Sequence, residues 1–299
     1  MNVKGFAIRS ATAVATTGSI AVSALLAGSS WPARAQDGID GLQAIGKPVP
    51  DGINFQPAVT DVARDIVWLD NFLLIVISVI SLLVIGLLVV VAIRYNSWSN
   101  PTPARFTHNT PLEITWTVVP IIILLVIIPP SLSLLFKQMR IPDADLTIKA
   151  TGNQWYWTHE YVDHGFEFDS FMLERGQLAE YGYADDEFLL AVDNAVVVPV
   201  NRTVVVQVTA SDVIHAWTIP AFGVKQDAVP GRLTELWFRV DQEGVYFGQC
   251  SELCGKDHSY MPIVVKVVGD DVYEHWLDRM IAEYAEIPRQ PGTLTLASD

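Results

Sequence analysis

The sequence predicts a membrane-anchored protein: a two-helix transmembrane hairpin followed by an all-β sandwich or barrel with a C-terminal helix. Three observations predict it. Two blocks of more than twenty residues carry no charge, a series of short β-prone runs follows between polar turns, and one late stretch has helical period. Composition agrees: 51% of the 299 residues are hydrophobic although the formal net charge is -14, so the apolar residues must be concentrated in particular segments. A chain this acidic presents little that would hold a polyanion, and no nucleic-acid partner is expected.

The elements follow in order. Residues 1–35 read as a secretory signal peptide: Lys4 and Arg9 give a basic start, Ala11 to Ala27 is small and apolar, and Ala33-Arg34-Ala35 forms an A-x-A site before Gln36. Residues 36–65 are expected to form an extracytoplasmic segment and 66–140 the hairpin, with spans at about 70–94 and 113–137. Phe72 to Ile93 and Ile114 to Phe136 are uncharged and long enough to cross about 30 Å of hydrocarbon at 1.5 Å per residue. A soluble core helix of that length would show a polar face, and neither block does. The connector Arg94 to Leu112 carries Arg94 and Arg105 but no acid, whereas Asp61, Asp65 and Asp70 precede the first span. That asymmetry places the connector in the cytoplasm and both termini outside.

Residues 141–287 are expected to fold as the β-domain. The β-prone runs are Leu146 to Ala150, Trp155 to Tyr161, Phe188 to Val192, Thr203 to Thr209, Leu233 to Val240, Val245 to Gly248 and Ile263 to Val268. Their spacing predicts an antiparallel arrangement. Val272, Trp276, Leu277, Met280, Ile281 and Tyr284 share one helical face, with Asp270 available as N-cap. Residues 288–299 lack a periodic pattern and are expected to be a flexible tail.

The chemistry is concentrated in QCSELCGKDHSYMP, residues 249–262, which holds both cysteines, one of six histidines and one of five methionines. In an oxidising compartment two cysteines suggest a disulfide. Here it would close a very small loop and leave the spacing of His258 and Met261 to coincidence. Zinc also takes Cys and His, but has no use for a thioether. Copper takes Cys, His and a weakly bound Met, the set used for electron transfer. His215, in SDVIHAWTIP, can supply a second imidazole from far upstream. A mononuclear site needs one cysteine, whereas two thiolates can bridge two copper ions and spread a single electron over both.

Cys250 to Pro262, preceded by His215, resembles the binuclear copper motif of cytochrome c oxidase subunit II of bacterial type. LEITWTVVP at 112–120, GNQWYWTHEY at 152–161 and the two-span hairpin extend the resemblance over nearly the whole mature chain. It implies a cupredoxin-like domain in which Cys250 and Cys254 bridge two copper ions of a copper A centre. His215 and His258 are then terminal ligands, Met261 is a weak axial ligand, and Glu252 contributes its backbone carbonyl. The Glu252 side chain is implied to reach a magnesium ion shared with subunit I, since one carboxylate cannot complete such a site alone.

The resemblance also implies that Trp155 receives electrons from cytochrome c through an exposed ring, and that Glu160, Asp169, Asp193 and Asp212 are docking carboxylates. A negative face of this kind steers a basic donor at a rate that falls with salt. As a strand, WYWTHEY puts Trp155 and Trp157 on one face. Glu113, at the cytoplasmic mouth of the second span, has a simple role as an acid in a helix's first turn, and the family adds the entrance of a proton pathway. The expected partners are subunit I, further oxidase subunits, cytochrome c and membrane lipid. The expected place is the bacterial inner membrane, with the copper domain on the periplasmic side. The main rivals are a copper-free structural subunit of a quinol oxidase, against which both cysteines stand, and a membrane-tethered carrier of one copper ion. A nitrous oxide reductase shares the loop but would lack the membrane hairpin.

Overall fold

The computed structural model describes residues 37–284, apart from positions 40 and 103. The expected signal peptide (1–35) and tail (288–299) lie outside the described residues.

After a short strand β1 (Ala44–Gly46) come two long helices, α1 (Asp61–Arg94) and α2 (Thr110–Met139). Both are long and apolar enough to cross a membrane, and their most hydrophobic windows are wholly unburied within the chain. Their apolar side chains therefore face outward, the reverse of a soluble core. Each begins where the sequence supplies a cap. The Thr60 hydroxyl accepts from the Ala63 N–H, and the Asn109 carboxamide oxygen accepts from the Leu112 N–H. Pro120, Pro129 and Pro130 lie inside α2.

The hairpin is fastened to the β-domain at its outer end. Thr60 donates its hydroxyl proton to the Phe222 carbonyl at 2.7 Å, and Trp237 donates its indole N–H to the Lys137 carbonyl at 3.3 Å. Lys137 of α2 pairs with Asp65 of α1 at 2.6 Å, so the two helices are tied to each other at the same level.

The β-domain comprises β2 (Leu146–Asn153), β3 (Tyr156–Tyr161), β4 (Phe166–Ser170), β5 (Val196–Pro199), β6 (Val204–Ala210), β7 (His215–Ile219), β8 (Val224–Ala228), β9 (Thr234–Phe238), β10 (Gly244–Gln249) and β11 (Pro262–Val268), closed by helix α3 (Asp270–Tyr284). One sheet runs β4-β3-β2-β6-β9, a second runs β1-β10-β11-β5, and β7 and β8 form a two-stranded ribbon. Trp157, Trp217, Tyr246, Phe222, Phe238 and Trp276 fill the core, all below 2% exposed. The buried face of α3 covers the first sheet, with Trp276 against Tyr161 at 5.2 Å between ring centroids.

Several expectations need correction. The pairings are mixed: β2 with β6, β5 with β11 and β1 with β10 are parallel. The run Phe188 to Val192 is not a strand, because Leu189 takes φ 73° and only Val192 makes a bridge, to Met172. Trp155 precedes β3, so it does not share a strand face with Trp157. Asp270 is the first residue of α3 and not its cap. Strands β1, β4, β5, β7 and β8 were not anticipated. In β8 the burial alternates along VKQDA, a polar run whose strand character comes from pairing with β7.

Candidate metal centre

Strands β10 and β11 pair in antiparallel register right up to Gln249 opposite Pro262, which fixes both ends of the loop that carries the cysteines. The Cys250 N–H donates to the Met261 carbonyl at 3.4 Å across the loop's neck, and the Ser251 N–H donates to the Ala216 carbonyl at 3.1 Å. The second bond brings β7, with His215 as its first residue, alongside. Two glycines make room. A Cβ on Gly248 would lie 1.8 Å from the Thr218 carbonyl oxygen, and one on Gly152 would lie 2.8–3.0 Å from carbon atoms of the His215 side chain. β10 can therefore approach β7, and His215 can rest on the end of β2, only because no side chain intervenes.

The donors form one connected set. His215 Nδ1 is 3.8 Å from Cys250 Sγ, the two sulfurs are 3.8 Å apart, Cys254 Sγ is 3.5 Å from His258 Nδ1, and Cys254 Sγ is 3.6 Å from Met261 Sδ. Cys250 Sγ also lies 3.3 Å from the Glu252 carbonyl oxygen. Both cysteines are free, and a disulfide would need the sulfurs at about 2.05 Å. In a tetrahedral site with metal–sulfur bonds of about 2.3 Å, neighbouring donors stand roughly 3.8 Å apart. Among the described residues, His215, Cys250 and Cys254 are the group whose donor atoms converge within 4.8 Å, and all three are buried. Thiolates, imidazoles and a thioether, with His258 half-buried and the other four residues buried, are the soft donor set that suits copper.

The electrostatics favour a cation. Burial works against ionisation of Cys250, but hydrogen bonding with His215, with backbone near Glu252 and Ala216, and with His258 brings its thiol down to about 6. Burial and the adjacent Cys250 charge push Cys254 up to about 12. The pair thus loses its first proton readily and its second reluctantly, until a metal replaces that proton. Burial opposes charging of His215, yet hydrogen bonds with Cys250 and Asp212 raise it above its ordinary value.

The remaining expected residues fall into distinct surroundings. Trp155 is half-buried; its indole N–H donates to the Cys254 carbonyl at 3.2 Å, and Lys256 Nζ sits 4.6 Å from the ring centroid. The ring is thus seated on the cysteine loop and less exposed than the family resemblance implies. Glu160 pairs with Lys149 at 2.8 Å, Asp169 is exposed and accepts from Thr158 Oγ1 at 2.6 Å, and Asp193 accepts from the Phe171 and Asn194 N–H groups. Burial raises the Asp193 carboxyl above its usual range. Glu252 is exposed on the loop. Glu113 lies far from this centre and accepts from the Asn109 N–H at 3.2 Å, completing the cap of α2.

Asp212 is used inward. It meets His215 Nε2 at 3.0 Å and accepts from the Gln154 N–H at 2.7 Å, while the Gln154 carboxamide donates to the Cys254 carbonyl at 3.0 Å. Sequence reasoning missed Gln154 and this use of Asp212. The i, i+3 spacing of Asp212 and His215 was the available signal, and GNQW offered none. Lys225 was also missed: its ammonium donates to the Ser251 carbonyl at 3.1 Å and steadies the loop from β8.

A membrane hairpin bearing a two-sheet β-domain, with Cys250, Cys254, His258 and Met261 on one loop and His215 of β7 beside it, defines a membrane-anchored protein of the cupredoxin-like class with a candidate metal centre. Comparison with known proteins gives the particular family. The model of cytochrome c oxidase subunit II, periplasmic domain, matches residues 146–268, and that of its transmembrane domain matches residues 48–134. The chain is 54% identical over 252 residues to cytochrome c oxidase subunit 2 of Cereibacter sphaeroides, covering 80% of this chain and 83% of that one. It is 47% identical over 232 residues to the probable cytochrome c oxidase subunit 2 of Rickettsia bellii, covering 77% and 85%. A solved structure, the periplasmic domain of subunit II of the cytochrome oxidase of Bradyrhizobium japonicum, is 53% identical and covers 49% of this chain and all of that one, with a TM-score of 0.44. The chain belongs to the cytochrome c oxidase subunit II family. It is therefore an oxidase subunit that works with subunit I, and its His/Cys/Cys cluster fits copper.

Proposed function

We propose that this chain is the electron-accepting subunit of a cytochrome c oxidase, taking electrons one at a time from cytochrome c at a copper A centre and passing them to haem in subunit I. Oxygen reduction and the proton pumping coupled to it belong to the complex. One observation carries the reading: Cys250 and Cys254 stand with their sulfurs 3.8 Å apart and an imidazole nitrogen beside each. With the Met261 thioether and the Glu252 carbonyl beside them, two thiolates and two imidazoles make six donors, more than one tetrahedral ion takes and enough for two ions that share the sulfurs. Copper bound there supplies a one-electron couple shared between two ions. The chain's own part is to hold His215, Cys250, Cys254, His258 and Met261 at fixed spacing and to exclude water. The Glu252 carbonyl completes the set from within the loop. A rigid, dry cage keeps the donors in place whichever charge state they face.

Trp155 is proposed as the point where electrons arrive, because its ring reaches from the surface to a direct hydrogen bond on Cys254. Glu160 of β3, Asp169 of β4 and Asp193, which accepts the Phe171 N–H just beyond β4, supply negative charge for a basic donor, a family reading consistent with the chain's net charge of -14. The exposed Glu252 carboxylate is free to meet magnesium and its further oxygen ligands at the boundary with subunit I. Glu113 is proposed for the proton-pathway entrance, a role it would hold beside its capping bond. The charge asymmetry around the hairpin supports a periplasmic β-domain and a cytoplasmic connector.

Metal analysis with electron paramagnetic resonance of the purified protein tests this. Two copper ions per chain with a mixed-valence spectrum are expected. One ion with a blue-protein spectrum, or cysteines that take no metal even after reduction, would overturn it.

A further inference from the structure

We propose that Lys256 is a specificity-determining residue for the electron donor: its ammonium, lying over the Trp155 ring, rejects a partner that brings a lysine to that spot and favours one that brings a carbonyl, hydroxyl or carboxylate. The inference rests on the reading above of Trp155 as the point of electron entry.

The cysteine loop itself delivers the charge. Gly255 takes φ 125°, and a Cβ there would lie 3.0 Å from Trp155 Cζ2, so the loop lies against the indole where a glycine fits best. The next residue then reaches over the ring, and Lys256 Nζ stands 4.6 Å from its centroid. An ammonium at that distance is attracted by the negative face of an indole. It is also ion-paired with Asp257, yet the two side chains are unequally placed: Lys256 is 73% exposed and Asp257 36%. The pair turns its positive end outward.

A docking face made only of acids would welcome a basic donor uniformly, and Lys256 breaks that uniformity at the entry ring. On the turn before the ring the Gln154 N–H donates to Asp212 Oδ2 at 2.7 Å, and the Asp212 side chain is 32% exposed. Charges of opposite sign thus border Trp155. At long range Lys256 and Asp257 cancel, so the surrounding acids still steer a basic protein inward. At contact the nearer charge dominates. A lysine set opposite Lys256 is repelled there, and like-charge juxtaposition is a usual means by which an interface excludes a wrong partner.

The test is stopped-flow reduction of the assembled oxidase by a lysine-rich cytochrome c over a range of salt, comparing Lys256→Gln, Lys256→Glu and Lys256→Arg. The uncharged reductant tetramethyl-p-phenylenediamine is the control. One unit charge about 6 Å from another in water changes an encounter about threefold. Glutamine is therefore expected to speed reduction about threefold at low salt and glutamate by more, both gains fading as salt is added. Arginine keeps the charge and should restore the wild-type rate. The uncharged reductant should not distinguish the variants, and copper content and resonance spectrum should match wild type. If Lys256 serves only to brace the indole, glutamine would slow reduction by both reductants at every salt concentration. That result, or a wild-type rate in both the glutamine and glutamate variants, would overturn the inference. Absence of copper from the wild-type protein would instead remove the copper reading itself, and the inference with it.

Discussion

Trp155 donates its indole N–H to the backbone carbonyl of Cys254 across 3.2 Å. An aromatic side chain reachable from outside is thus one hydrogen bond from a cysteine of the converging donor set, and Lys256 caps its ring. Trp155→Phe keeps the aromatic face and removes the donor. Stopped-flow reduction by cytochrome c is expected to slow by about tenfold or more, the factor that a barrier increase of roughly 1.4 kcal/mol gives. Copper content should be unchanged; an unaltered rate would exclude Trp155 from the route.

Gly152 is the floor beneath His215. Gly152→Ala places a methyl group 2.8 Å from a ring carbon, in a position with no free space. Overpacking of this kind costs about 1–3 kcal/mol, and the ring is the softer of the two neighbours. The expected result is lower copper occupancy and a changed spectrum, with circular dichroism of the β-domain preserved.

Metal loading should release protons. With Cys250 at about 6 and Cys254 at about 12, the metal-free pair at pH 7 carries mainly one proton, held on Cys254. Ligation by both sulfurs expels it, and any proton held by His215 as well. Titration calorimetry in two buffers of different ionisation enthalpy should report about one or more protons released per chain, and affinity should fall as pH falls. Uptake, or no exchange, would contradict the assignment of both thiols as ligands.

The polar chain Trp217–His159–Ser170–Asn194 runs through the core. Trp217 donates to His159 Nε2 at 3.4 Å, His159 Nδ1–H donates to Ser170 Oγ at 3.1 Å, and Ser170 donates to the Asn194 carbonyl at 2.7 Å. Burial holds His159 down at about 3. Unfolded, it would take up a proton near pH 6.5, so the folded state loses stability as pH drops from 6.5 toward 3, by at most about 1.4 kcal/mol per pH unit. Above 6.5 the contribution is fully present. Denaturant titrations of His159→Gln should show a shallower acid slope than wild type.

The segment before α1 is fastened by a buried ion pair. Asp37 binds Lys266, whose side chain is 5% exposed, and Arg279 donates to the Asp37 carbonyl at 2.5 Å. Asp37→Ala strands a buried ammonium and should cost about 3–5 kcal/mol in chemical denaturation. The double variant Asp37→Ala, Lys266→Met should recover most of that loss.

Legibility in the sequence followed the physics of each signal. The helices were readable because uncharged blocks of that length have few other uses, and α3 because Trp276, Leu277, Met280 and Ile281 recur on one face. The cysteine loop was readable because rare residue types are concentrated in it. Strands β7 and β8 were not, since VKQDA becomes a strand through pairing and not through its own pattern. The run at Phe188 to Val192 misled because its apolar residues are wholly or partly buried, but in a turn that Leu189 bends. Asp212 looked like surface charge because its spacing to His215 suggests a bond only once β7 and the β2–β3 turn are adjacent.

The loop between Gln249 and Pro262 leaves and rejoins the sheet at directly paired positions. Its ends are therefore fixed by backbone pairing that does not involve the cysteine side chains, so the sulfurs can be lost without unpairing β10 from β11. A lineage that abandoned the metal would keep a serviceable building block, which gives redox and purely architectural versions of this scaffold a short evolutionary distance to cross.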